Sequence, residues 1–161
     1  MADLKTDQHR WLGRLEGEWT WEMEAQAAEP GQPPVTDSGT ESVRSLEGVW
    51  MMMESRGGMP EGGSATSVMT LGYDPGRQRF VGTFVGSMMT NLWIYEGRLD
   101  AAGRVLTLDT EGPSYTEEGK TAKYRDTLEF LSDDHRVQTS RFQAGDGQWR
   151  QFMTTHYRRA R

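Results

Sequence analysis

The chain contains no cysteine. Disulfides, thiolate metal centres and a cysteine nucleophile are thereby excluded. Histidine is almost as scarce: His9, His135 and His156 are the whole supply, and none pairs locally with another at a metal-ligand spacing. His9 falls in an N-terminal helical stretch and His135 in a turn beside Asp133 and Asp134, so both read as solvated surface. Long apolar runs are missing as well. Nothing approaches the roughly 20 apolar residues of a membrane-spanning helix, and Met1-Ala2-Asp3-Leu4-Lys5-Thr6-Asp7 has no apolar stretch after its charges. The expectation is a soluble, cytoplasmic protein. Positive charge is outnumbered, with 18 Lys+Arg against 24 Asp+Glu for a net charge of −6. That balance repels nucleic-acid phosphates and anionic membrane surfaces, so neither is an expected partner. There is no HExxH, Gly-x-Gly-x-x-Gly, Walker-type or Gly-x-Ser-x-Gly motif, which leaves phosphate cradles and nucleophile elbows unsupported. No cofactor is expected.

What the chain does have is glycine, 19 of 161 residues, spaced through turns rather than gathered in a tract. This is above the usual share of about 7% and fits many short strands. One domain, residues 1–161, accommodates the length. Ten methionines and six tryptophans supply much of the apolar surface in a chain that is only 35% hydrophobic.

Leu4, Trp11, Leu12 and Leu15 recur at helical spacing, with Asp3 or Asp7 placed to cap the start. The period then changes. Trp19, Trp21 and Met23 alternate with Glu18, Thr20, Glu22 and Glu24, the pattern of a half-buried strand. Continuing this reading predicts strands near 17–26, 35–46, 48–57, 65–73, 77–87, 91–100, 104–112, 121–131, 135–143 and 148–159, and no second helix. Tight turns at Leu46-Glu47-Gly48, Asp74-Pro75-Gly76-Arg77, Asp100-Ala101-Ala102-Gly103 and Ser132-Asp133-Asp134-His135 alternate with longer connections. Simple antiparallel neighbours then gather most long loops at one rim, and an even strand count brings the last strand beside the first. The fold class is all-β: an up-and-down antiparallel barrel of about ten strands, with a short N-terminal helix closing its base. The glycines Gly57, Gly58, Gly62 and Gly63 fit an open rim loop better than a phosphate site.

Alternation places Trp19, Trp21, Met23, Trp93, Tyr95, Leu106, Leu108, Tyr124, Leu128, Phe130, Met153 and Tyr157 inward. Three stretches resist assignment: Val49 to Met53 and Phe80 to Val85 are apolar on both faces, and Val35 to Leu46 is polar on both. Filled core and open cavity are equally compatible with this interior, although ten strands enclose more room than the eight that side chains just fill.

Four ordered pieces carry a family resemblance: His9-x-Trp11-Leu12-x-x-Leu15-x-Gly17-x-Trp19, Leu71-Gly72-Tyr73-Asp74, Trp93-x-Tyr95-x-Gly97 and Tyr157-x-Arg159. Through Gly17-x-Trp19 and the late arginine the chain resembles the lipocalin-like, or calycin, superfamily, and through the whole set the bacterial domain-of-unknown-function 1579 family. The resemblance implies that Trp19 seals the barrel base with Arg159, or Arg158, over its ring. It brings no established activity. Haem-binding relatives of this barrel class carry a histidine on a late strand, which draws attention to His156; its phase, shared with Arg150, Thr154 and Arg158, points outward.

Asp126 stands in phase with Tyr124, Leu128 and Phe130, and a buried carboxylate needs a partner or gives up its charge. Arg141 on the neighbouring strand, or the hydroxyl of Tyr95 or Tyr157, could supply one. If Trp50 and Met52 face inward, Glu54 joins them. The expected ligand-lining set is therefore Trp21, Met23, Met52, Glu54, Trp93, Tyr95, Tyr124, Asp126, Arg141, Met153 and Tyr157, with Gly17, Trp19 and Arg159 closing the base and with Met51, Met53, Met88 and Met89 as soft wall or rim. The function these residues suggest is binding of a small apolar ligand, without catalysis. A haem or nitric-oxide site at His156, and a hydrolase or isomerase using Asp126, Glu54 and a tyrosine, are the alternatives. Self-association to a homodimer is compatible with any of them.

Overall fold

A computed structural model describes residues 5–27, 29–58 and 63–160; Met1, Ala2, Asp3, Leu4 and Gly62, named above, lie outside them. The chain opens with α1 (Asp7–Gly13) and continues through ten strands, β1 (Gly17–Ala25), β2 (Val35–Leu46), β3 (Trp50–Gly58), β4 (Ser64–Asp74), β5 (Arg79–Gly86), β6 (Trp93–Leu99), β7 (Val105–Pro113), β8 (Thr121–Ser132), β9 (His135–Gln143) and β10 (Trp149–Arg159). Every strand pairs antiparallel with its sequence neighbours, and β10 pairs with β1, so the sheet closes into a barrel. Closure satisfies the edges an open sheet would expose. No strand end is displaced by more than two residues from its expected position. Among the described residues no helix is long and apolar enough to cross a membrane.

The helix is shorter than its apolar spacing suggests, and its cap is Thr6 rather than an aspartate. Thr6 has an extended backbone, its hydroxyl accepts from the His9 amide at 3.3 Å, and the His9 ring accepts from the Thr6 amide at 3.1 Å. This reciprocal capping box uses histidine in the place usually held by Glu or Gln. His9 is therefore buried, not solvated, with its ring edge-on to Tyr73 at 5.8 Å. Asp7 falls inside the first turn and pairs with Arg10. After Gly13, the Leu15 amide donates to the Leu12 carbonyl, a tighter turn that delivers Leu15 into the core.

The helix crosses the end of the barrel where the tight turns lie. Trp11 Nε1 donates to the Gly103 carbonyl at 2.8 Å in the β6–β7 turn, and Arg14 reaches Asp133 in the β8–β9 turn. Beneath it Leu12, Leu15, Trp19, Met51, Leu71, Phe80, Leu106, Leu108 and Leu128 are almost wholly buried. The lower half of the barrel is thus a filled core.

Trp19 and Arg159 stand directly opposite across the closing β1–β10 pair. The Arg159 guanidinium lies 4.2 Å from the Trp19 ring, and its nitrogens donate to the carbonyls of Glu16, Arg14 and Asp133 at 2.8, 3.1 and 2.9 Å. One side chain therefore ties the helix exit, the β8–β9 turn and the closing strand together. Gly17 is required beside it: its φ is +131°, and a Cβ there would sit 2.6 Å from Arg159 Nη1. Arg158 faces outward, toward Glu22.

Candidate functional site

Above the filled floor the barrel opens into a cavity of about 440 Å³, within the range that small-molecule sites occupy. The ambiguity between packed core and cavity resolves into both, stacked along the barrel axis.

Cross-strand pairing explains the room. Trp21 aligns with Gly39 on β2, which aligns with Gly57 on β3. A Cβ at either glycine would lie 2.4 Å from the Trp21 ring, so the indole lies flat against the wall over two residues without side chains. Its Nε1 donates to the Thr40 carbonyl at 3.2 Å. Trp93, further round, covers Gly112 in the same manner and donates to Met89 Sδ at 2.9 Å. Two of the largest side chains thus coat the cavity without filling it. Tyr124 meets Trp93 edge-on at 5.2 Å, and Tyr115 and Phe152 complete an aromatic cluster toward the mouth. Methionines 23, 69, 88, 89 and 153 supply the rest of a soft wall, whereas Met51 and Met53 belong to the floor.

Polar groups converge low in the cavity. Asp126 is paired with Ser140 across β8–β9, and its Oδ2 accepts from the Tyr95 hydroxyl at 3.0 Å. Burial pushes the Asp126 carboxyl up from the ordinary range, opposed in part by hydrogen bonds from Ser140 and Tyr95. Tyr95 is pushed far up by burial and by the adjacent carboxyl. Tyr157 is raised too, chiefly by burial and then by Glu41, while Tyr115 is pushed up to about 12 by burial. All four groups are thus held toward their protonated, uncharged forms.

Beneath Tyr157 lies an ion pair that the sequence reading did not anticipate. Arg136 and Glu41, both buried, join through Nη2 and Oε1, and Glu41 Oε2 accepts from Ser55 at 2.9 Å. The Arg136 guanidinium lies 3.7 Å from the Tyr157 ring centre and 4.8 Å from that of Trp19. Its Nε and Nη1 have no hydrogen-bond partner among the described residues; the two π-faces attract the cation instead.

Of the expected lining residues, Trp21, Met23, Trp93, Tyr95, Tyr124, Asp126, Met153 and Tyr157 face the cavity. Three do not. Met52 and Glu54 lie on the outer face of β3, because Met51, Met53 and Ser55 take the inward phase; Glu54 pairs with Arg56 at 2.9 Å. The register decides this, since Met53 stands between inward Val43 and Met69. Arg141 is also outside, bonded to Thr139 and Gln151, because Ser140 holds the inward position opposite Asp126. His156 is on the outer face as its phase predicts, with Nδ1 2.9 Å from His135 Nε2. His135 is half-buried rather than fully solvated. No histidine lines the cavity among the described residues, so a haem ligated by His156 inside the barrel does not fit this chain.

The fold matches that of Rv2717c from M. tuberculosis with a TM-score of 0.66, at 14% identity, over 99% of this chain and 100% of that one. The structure of EF1p2_mFAP2b bound to DFHBI aligns with a TM-score of 0.49, at 16% identity, over 94% and 98% of the two chains. At 14% identity the likeness to Rv2717c is one of fold. No curated protein matches the chain. A family model described as protein of unknown function (DUF1579) matches residues 5–159.

Proposed function

The chain belongs to the DUF1579 family, whose description assigns no activity, and we propose from the cavity itself that the protein binds a small, largely apolar molecule without transforming it. The supporting observation is the 440 Å³ space walled by aromatic and methionine side chains, with Asp126, Tyr95 and Ser140 gathered low on its wall. An apolar body with one or two polar groups fits such a site. The reading as a binding protein rather than an enzyme draws on the same geometry. Glu54, the second carboxylate a hydrolase or isomerase would use, is outside the barrel, the other lining carboxylate, Asp37, sits near the mouth rather than beside Asp126, and no histidine lines the cavity among the described residues to serve as a base for Ser140.

Titration with N-phenyl-1-naphthylamine, an uncharged dye whose emission rises in apolar surroundings, tests the reading. Saturable one-to-one binding is expected, with a large loss in Ser67→Trp, which places an indole in the cavity wall. Unsaturable uptake, or equal binding by that variant, would contradict it.

A further inference from the structure

The cavity wall holds two acids and no base. Asp126 and Asp37 line it, and no lysine, arginine or histidine does so among the described residues. Asp37 sits near the mouth, whereas Asp126 is buried. The groups facing Asp126 from the surrounding strands are Tyr95 on β6, Leu108 on β7, Ser140 on β9 and Tyr157 on β10. The nearest interior cation, Arg136, lies below Tyr157 and is already joined to Glu41. Two neutral hydrogen bonds are what the carboxyl has, and neither brings positive charge.

A buried carboxylate without a counter-charge is costly, and a cation delivered to it removes that cost. Aromatic rings around it favour a cation as well, through the negative potential of their faces. A ligand carboxylate would meet the opposite situation: a like charge at Asp126 and no free guanidinium.

We propose, resting on the ligand-binding reading above, that the cavity selects a lipophilic amine, its ammonium on Asp126 and its apolar body among Trp21, Phe84, Trp93, Tyr124 and Phe152. An amine that enters uncharged takes the proton of Asp126; one that enters as a cation displaces that proton to solvent. Either route leaves the same ammonium–carboxylate pair. The protein's net charge of −6 favours approach of a cation over an anion.

The test is a matched series read by calorimetry at pH 7: 1-naphthylmethylamine, 1-naphthalenemethanol and 1-naphthoate, which share one apolar body. The amine is expected to bind about tenfold or more tightly than the alcohol, the scale of one charge-assisted hydrogen bond, with the carboxylate weakest. Asp126→Asn is expected to bring the amine-to-alcohol ratio to within about threefold, since the amide keeps hydrogen bonding but not charge. An alcohol that equals the amine, a carboxylate that binds best, or a ratio that persists in Asp126→Asn would overturn the amine assignment while leaving ligand binding intact. Failure of all three probes to bind would overturn both. If Asp126→Asn does not fold, the order of the three probes on the unmodified protein decides alone.

Discussion

Replacing Glu41 with methionine removes one half of the ion pair buried beneath the cavity and leaves the other half in place. The side chain of Arg136 is 1% exposed and that of Glu41 6%, so the freed guanidinium has no route to water. Its remaining interactions are the rings of Tyr157 and Trp19, each worth about 0.5–2 kcal/mol. They are already present in the parent and offset nothing new. Breaking a buried pair on one side costs about 3–5 kcal/mol. For a chain of this size that is a fall in Tm of roughly 6–20 °C. With the singles Glu41→Met and Arg136→Met, the double variant Glu41→Met/Arg136→Met removes both charges and is expected to lie within about 1 kcal/mol of the parent, or above it. Thermal and urea unfolding of the two singles and the double closes the cycle, with an expected coupling of at least about 2 kcal/mol. A Glu41→Met variant that loses less than about 1 kcal/mol, or singles whose costs simply add, would refute the picture of a desolvated, mutually dependent pair.

Asp126 makes stability depend on pH in a defined direction. Its carboxyl is raised in the folded protein, so the fold binds the proton more tightly than the unfolded chain; the stability this contributes is full below the ordinary aspartate value of 3.8 and is lost as pH rises through the folded value. Asp126→Asn is expected to gain on the parent as pH rises above 3.8, by up to about 1.4 kcal/mol per pH unit until the carboxyl ionises in the fold, and a parent–variant difference in Tm that does not change with rising pH would count against it. Gly57→Val places carbon where the Trp21 ring now lies, 2.4 Å away, so the indole is expected to swing into the cavity and weaken dye binding at least about tenfold, from lost space rather than lost contacts; unchanged affinity would show that the ring has other room. Arg159→Ala removes donors to three backbone carbonyls and the contact over Trp19 and is expected to cost about 2–4 kcal/mol, with Arg159→Lys recovering only part; full recovery by lysine would mean that charge alone matters.

Much of this architecture is readable in one sequence because alternation and turn chemistry are local. Trp19-x-Trp21-x-Met23 against Glu18, Thr20, Glu22 and Glu24 fixes a strand and its wet face without knowledge of any neighbour, and Asp74-Pro75-Gly76 fixes a turn in the same way. The failures come where a strand offers two equivalent faces. Trp50-Met51-Met52-Met53 is apolar in both phases, so only its pairing with Val43 and Met69 shows that the odd-numbered residues face inward. A slip of one residue there carried Glu54 to the wrong side of the wall. On β9 the inward residues are Arg136, Gln138 and Ser140, a polar set that resembles a solvent face. That disguise hid Arg136 and promoted Arg141. The signal that could have found the pair was phase. Glu41 shares a face with Val43, and Arg136 shares one with Ser140, which pairs with Asp126, so two opposite charges on inward phases invite a buried bridge. The two glycines beneath Trp21 were visible in the sequence, but only the β1–β2–β3 register aligns them.

The claim on which the rest depends is that a ligand enters the upper barrel and leaves the floor untouched, and the methionines report on both halves. In a sample carrying ¹³C-labelled methionine methyl groups, titration with N-phenyl-1-naphthylamine is expected to move the resonances of Met23, Met69, Met88, Met89 and Met153 together and saturably, while Met51 and Met53 in the floor and Met52 on the outer wall stay fixed. Saturable shifts at Met52 with none at Met69 and Met153, or no saturable shifts at all, would contradict a binding site inside the barrel.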